Sequence, residues 1–203
     1  MNENRVDHFK HKSKSWDMSS MRVKNAKSIA DLIVKNINFN DSMEIMDLGA
    51  GTGLLSYFIA PYVAKIIAVD NSPSMLEEFK SKALEFDSQT EVIEADISKE
   101  EINRKFDGII SSMTIHHVEE TKALFSKLYG MLNDNGFIAI ADLDSEDGSF
   151  HSDNTGVHHH GFDRNALEKL AREVGFKDIK FDHASTIDKP HCTFTVFLMT
   201  AVK

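Results

Sequence analysis

The stretch Glu44-Ile45-Met46-Asp47-Leu48-Gly49-Ala50-Gly51-Thr52-Gly53-Leu54-Leu55-Ser56-Tyr57-Phe58-Ile59 decides how this chain folds. Apolar residues run into an acid, three glycines follow at alternate positions, and a helical pattern then opens. The order predicts strand, tight turn, helix. Glycine reaches positive φ without steric cost and carries no β-carbon, so such a turn can press its main chain against a ligand. The helix behind it aims unpaired N–H groups at the turn, a setting for a carboxylate or phosphate. A nucleoside-containing cofactor is the ligand this construction suits.

Working outward, the chain alternates. Val23, Ala26, Ala30, Ile33 and Ile37 keep a helical period ahead of the glycine strand. Beyond it, Ile66 to Val69 reads as a second strand ending at Asp70. Ser72 and Pro73 have the N-cap and N1 pattern of a helix whose inner face carries Leu76, Phe79 and Ala83. Glu91 to Ala95 reads as a third strand ending at Asp96, and Ser98 with Glu101 has capping-box spacing for a short helix. A fourth strand over Phe106 to Ile110, a helix striped by Leu124, Phe125, Leu128 and Leu132, and a fifth strand from Gly136 to Ala141, ending at Asp142, follow. Alternation of this kind predicts a parallel sheet with helices on both faces. The last third differs: a helix marked by Leu167, Leu170, Ala171 and Val174 stops at Gly175, then two strand-like runs, Ile179 to Ala184 and Cys192 to Ala201, read as a hairpin closing the sheet edge.

The spacing acid-x-Gly-x-Gly-x-Gly departs from the dinucleotide fingerprint Gly-x-Gly-x-x-Gly, whose third glycine place is Leu54 here. It resembles motif I of the class I S-adenosylmethionine-dependent methyltransferases, and the hairpin ending resembles that fold as well. The resemblance runs from about Trp16 to the last residue and is strongest over 43–142. It implies an α/β, Rossmann-like, doubly wound and mostly parallel seven-stranded sheet with an antiparallel C-terminal strand, in a single domain over 1–203. It also implies S-adenosylmethionine as methyl donor and S-adenosylhomocysteine as product. By the same resemblance the Gly49-Ala50-Gly51 backbone lies along the methionyl–ribose portion of the cofactor and Asp47 helps hold its amino end. Asp70, with Asn71 beside it, takes the ribose hydroxyls; Asp96 takes the adenine amino group and Ile97 the adenine face. Ser111 lies under the methionine part.

Methyl transfer from a sulfonium is an in-line displacement with a neutral leaving group, so alignment matters most, and a general base helps when the acceptor is a hydroxyl or a protonated amine. Histidine is the obvious candidate. His116 and His117 follow the fourth strand in a segment resembling the Leu-His-His-Val-like loop of small-molecule methyltransferases, which makes them the expected catalytic pair. His151, His158, His159 and His160 follow the fifth strand, and the same family often carries Phe-His and His-x-Gly-Phe there. His151 and His159 are expected to contact substrate. Three readings of these histidines stay open: structural loop bonds, substrate binding or base catalysis, and a metal site completed by Asp142, Asp144 or Asp147. No local pair has a ligand spacing that singles out a metal motif, so no metal ligand is assigned.

Before the first helix, Lys10, Lys12 and Lys14 interleave with His8, Phe9, His11 and Trp16. Such an arm is a solvated tail, a nucleic-acid contact, or, by family resemblance, a segment that folds over the cofactor pocket. On the last reading, residues 1–38 form a lid, with Trp16, Met18 and Met21 on the substrate side.

Composition narrows the partners. A formal net charge of −9 repels phosphate backbones, and the fourth-strand loop Ser111 to His117 lacks the Asn/Asp-Pro-Pro-Tyr-type sequence common in base-directed amino methyltransferases. A small-molecule acceptor is therefore expected over a nucleic acid or a protein; a non-catalytic S-adenosylmethionine-binding protein is the remaining alternative. One cysteine, a polar first twenty residues and no apolar run of membrane-spanning length predict a cytoplasmic protein without membrane association. Oligomeric state and acceptor identity have no signature in the sequence.

Overall fold

A computed structural model describes residues 7, 9–190 and 192–203; His8 of the basic arm lies outside them. Seven strands form one sheet in the order β3-β2-β1-β4-β5-β7-β6. They are β1 (Glu44–Leu48), β2 (Lys65–Asp70), β3 (Gln89–Glu94), β4 (Phe106–Ser112), β5 (Leu132–Leu143), β6 (Lys177–Lys189) and β7 (Cys192–Val202). The first five run parallel, and β7 lies antiparallel between β5 and β6. The chain order reverses between β1 and β4, which leaves a crevice beyond the carboxyl ends of those two strands.

Helices cover both faces because strand residues alternate between them. Met46, Leu48, Ile67 and Val69 join the core under α4 (Thr121–Met131) and α5 (Arg164–Val174). Ile45, Ile66 and Ala68 face the other way, toward α1 (Ser20–Asn36), α2 (Leu54–Ile59) and Phe79 of α3 (Pro73–Ser81). The fully buried Phe79 stacks on Phe86 at 4.9 Å; burying one such ring contributes about 2–3 kcal/mol.

Local signals act where the spacing places them. Ser72 caps α3 by accepting from Met75 N, with Pro73 following, and Gly175 ends α5. The helix expected from Ser98 and Glu101 does not form. Asp96 Oδ1 accepts from both the Ser98 amide (3.0 Å) and hydroxyl (2.5 Å), and Glu100 accepts from Asp96 N, so residues 97–99 close as a turn. The nearer carboxylate wins the serine that a capping box would need.

Of the 1–38 segment expected to form a lid, α1 is a core helix: Ile29, Ala30 and Ile33 are buried against the sheet. Ahead of it the described residues, 7 and 9–19, include a 3₁₀ helix at Ser13–Met18.

Candidate active site

The glycine turn leaves β1 with Gly49, Gly51 and Gly53 all at positive φ. Two of them do different jobs. A β-carbon on Gly49 would stand 2.2 Å from Thr114 Oγ1, so this glycine lets the loop after β4 close against the turn. A β-carbon on Gly51 would meet nothing within 4 Å. Its bareness serves open space over the crevice, as a cradle for a ligand requires.

The carboxylates gather around that space. Asp70 Oδ2 accepts from Gly51 N and Oδ1 from Ser72 N, each at 2.8 Å, so it ties the glycine turn to the start of α3. Each oxygen keeps a lone pair for a ligand hydroxyl. Burial pushes its pKa up, partly offset by those two amides. Asp47 is 1 % exposed and accepts from Ser56 Oγ at 2.6 Å. Burial, with Asp70 nearby, drives its pKa up to about 7, so it is poised to gain charge when a cation arrives. Asn71 is exposed, Asp96 is half-buried, and Ile97 is buried beside it. Ser111 is fully buried and donates to Leu48 O at 2.8 Å; its hydroxyl locks β4 to β1. The residues present thus match the needs of a nucleoside carrying a positive amino-acid end: hydroxyl acceptors, an apolar plate, a buried acid and a bare main chain.

The arm is fastened over this crevice. Asp7 accepts from Ser72 Oγ (2.7 Å) and Ser74 N (3.1 Å), and Asp17 accepts from Thr52 Oγ1 at 2.5 Å and pairs with Lys82. Trp16 meets Phe9 edge-on at 5.7 Å and lies under the Arg22 guanidinium, while Phe9 packs edge-on against His117 at 6.4 Å. Met18 and Met21 stay exposed, at 83 % and 46 %.

Met113, at φ 57°, turns the chain sharply from β4 into the histidine loop, a conformation a bulky residue adopts only where its surroundings hold it. His116 is 1 % exposed. Its Nδ1 stands 2.7 Å from Asp142 Oδ1, a fully buried carboxylate that also accepts from the amides of Leu143 and His116. His116 Nε2 is 3.1 Å from His151 Nε2. His117 Nδ1 donates to Gly156 O at 2.7 Å. Three rings thereby converge, with centroids 4.2 to 5.7 Å apart. Burial, then the charge of His116, pulls His117 below its usual pKa; burial and both neighbouring imidazoles take His151 down to about 4.

The other histidines of the second cluster do not join. His159 Nε2 lies within reach of Val118 O, Glu119 O and Thr121 Oγ1, so it clamps the start of α4. The amides of His158 and His159 both donate to His116 O, stitching the two loops together. Asp144 is held by both donors of Arg164 and by Thr195, and exposed Asp147 caps its own turn.

Comparison with known proteins fits this arrangement. The methyltransferase domain model matches residues 45–136, from β1 to the start of β5. An uncharacterized methyltransferase of Schizosaccharomyces pombe is 28 % identical over 173 residues, covering 77 % of this chain and 59 % of that protein. A malonyl-[acyl-carrier protein] O-methyltransferase of Acetivibrio thermocellus is 28 % identical over 137 residues, covering 66 % of this chain and 47 % of that one. Over residues 45–136 the chain carries the methyltransferase domain that this family model describes. It spans about half the length of the curated relatives it matches. Its fold agrees with that of phosphoethanolamine N-methyltransferase 2 of Haemonchus contortus in complex with S-adenosyl-L-methionine, at a TM-score of 0.72 and 16 % identity, covering 100 % of this chain and 61 % of that one.

Several residues that shape this site escaped the sequence reading. Asp142 was legible as a strand-end acid but not as the partner of His116. The register supplies the reason: β4 pairs with β5 through Ser112 and Ala141, so both loops leave neighbouring strands at the same level. Thr114, Asp7 and Asp17 carry no spacing signal, because their partners lie 65 (Gly49–Thr114), 65 (Asp7–Ser72) and 35 (Asp17–Thr52) residues away along the chain.

Proposed function

We propose that this methyltransferase moves the methyl group of S-adenosylmethionine to a small-molecule acceptor received between the arm and the histidine loops. The observation carrying this reading is the open space beside Gly51, flanked by Asp70, with Asp7 of the arm bonded to Ser72 at the start of α3. When bound, the cofactor supplies an electrophilic methyl on a sulfonium whose departure leaves a neutral thioether. The chain's residues do the rest. Asp70 accepts from the ribose hydroxyls with Asn71 beside it, Asp96 and Ile97 receive the adenine, and Asp47 balances the amino end. The Gly49-Ala50-Gly51 main chain lies along the middle, and Ser111 stiffens the floor by joining β1 to β4.

On the acceptor side, His116 and His117 are the proposed catalytic pair, with His151 and the arm residues Trp16 and Met21 as acceptor contacts. His159 supports the loop from behind. His117 donates its Nδ1 proton to a carbonyl, so a neutral ring keeps a lone pair on Nε2, which has no hydrogen-bond partner among the described residues. Its lowered pKa keeps that lone pair available at neutral pH, as a group that takes the acceptor's proton needs. The acidic surface and the acyl acceptor named for the Acetivibrio relative both favour a small acceptor over a nucleic acid.

Calorimetric titration with S-adenosylmethionine tests the cofactor half. Saturable binding is expected, weakened by Asp70→Ala at least about tenfold for loss of a charged hydrogen-bond acceptor. A metabolite screen read by the mass gain of one methyl tests the acceptor half. A protein that binds no S-adenosylmethionine at millimolar concentration ends the proposal.

A further inference from the structure

Three imidazoles from two loops meet at one point. One atom from each of His116, His117 and His151 can be chosen so that all three lie within 4.8 Å of one another. His116 Nε2 and His151 Nε2 stand 3.1 Å apart. Nitrogens sharing one tetrahedral zinc at 2.0–2.1 Å are about 3.3–3.4 Å apart, so this pair already has the separation of two ligands. His117 and His151 are half-buried, and their ring centroids stand 5.7 Å apart.

The groups behind the rings point the same way. A ligating histidine almost always gives its other ring nitrogen to a carboxylate or a carbonyl, which fixes the tautomer and raises the basicity of the ligating nitrogen. His116 Nδ1 is bound to the fully buried Asp142, and His117 Nδ1 to Gly156 O. Both rings therefore keep the Nε2 lone pair free for a ligand bond. A plain hydrogen bond from His151 to His116 accounts for that one pair. It does not account for a third imidazole at the same point, nor for two rings oriented from behind by oxygen acceptors.

We infer that His116, His117 and His151 form a three-histidine site for a divalent transition ion of the zinc type, positioned by Asp142, with a fourth position for a water or an acceptor atom. Neutral imidazole suits zinc, nickel and copper far better than magnesium or calcium. The site rests on the proposed acceptor side of the enzyme, because it lies in the loops assigned to the acceptor; with the ion bound, His117 Nε2 is a ligand and no longer the free base of the metal-free protein, and the site's existence does not require the methyl donor to bind.

The test uses the untagged, chelator-treated 203-residue chain and two titrations in parallel: one with zinc chloride, one with S-adenosylmethionine. One zinc per chain with a submicromolar dissociation constant is expected, and cobalt(II) should give the visible absorption of a four-coordinate ion. His151→Ala and His117→Ala should each weaken zinc binding by about a hundredfold or more, and Asp142→Asn by about ten- to a hundredfold. S-adenosylmethionine affinity and the far-ultraviolet circular dichroism of the two histidine variants should stay as in the wild type. His158→Ala combined with His160→Ala should bind zinc normally. No zinc binding, or binding that survives both His117→Ala and His151→Ala, overturns the metal site. If S-adenosylmethionine still binds in that case, the cofactor reading stands alone; if zinc binds and S-adenosylmethionine does not, the reverse holds.

Discussion

At the scale of single residues, Gly49 and Gly51 separate packing from ligand space. Alanine at Gly49 drives a methyl into Thr114 and adds left-handed strain; overpacking and strain together cost about 2–4 kcal/mol, a loss visible as a melting point lowered by several degrees. Alanine at Gly51 meets only the strain, about 1 kcal/mol, or a shift of about 2–4 °C. Yet its methyl occupies the cradle, so S-adenosylmethionine affinity should fall by at least about tenfold. Calorimetry on both variants checks the contrast: stability suffers more at 49, and binding fails at 51 while the fold persists. Asp47 gives a pH test. Its folded pKa, near 7, lies above the unfolded carboxylate value. The stability it contributes is fully present below the unfolded value and is lost as pH rises through the folded one. Asp47→Asn removes that dependence. Without cofactor, the variant should gain melting temperature relative to wild type at about pH 8 compared with about pH 5, while losing affinity for the cationic amino end. An equal difference at both pH values refutes the buried charge.

At the scale of elements, the arm makes the clearest demand. Asp7 and Asp17 hold it across the glycine turn and the start of α3, but few of its residues enter the core. Removing residues 1–18 should leave the melting temperature within a few degrees and raise the S-adenosylmethionine dissociation constant by about tenfold or more; unchanged affinity would show that the arm is only a strap. Strands and helices were legible because β1, β2 and β4 are largely buried and carry short apolar runs at Ile45-Met46, Ile66 to Val69 and Ile109-Ile110, while α4 and α5 carry their stripes at a helical period. The turn after β3 was misread because Asp96 competes for the serine that the helix signal needed. The acids around the glycine turn were legible from strand ends alone. The family resemblance brought the two histidine clusters to one mouth, but not which histidine would meet His116: His151 reaches it through a loop that also carries the bidentate Asp144–Arg164 pair and the amide bonds to His116 O, none of which has a periodic signature.

At the scale of the whole molecule, charge and topology set what the protein does beyond its site. A net charge of −9 opposes binding to a polyanion outside the basic arm at Lys10, Lys12 and Lys14. Filter binding with tRNA and duplex DNA should show no retention at physiological salt, and micromolar retention would reopen the nucleic-acid reading. Topology bears on how the sheet is completed. β7 is the later strand in the chain, yet it lies inside the sheet with β5 on one side and β6 on the other. While a ribosome is still making residues 192–202, the outer rim of β5 and both rims of β6 have no neighbour in this sheet, and the backbone of β7 that pairs with both strands is not yet available. Nascent chains stalled after residue 190 should therefore be cut readily by protease and held by chaperones, and protection should come abruptly when the final strand leaves the exit tunnel. The glycine turn after β1 is thus translated about 140 residues before the strand that fills the gap between β5 and β6.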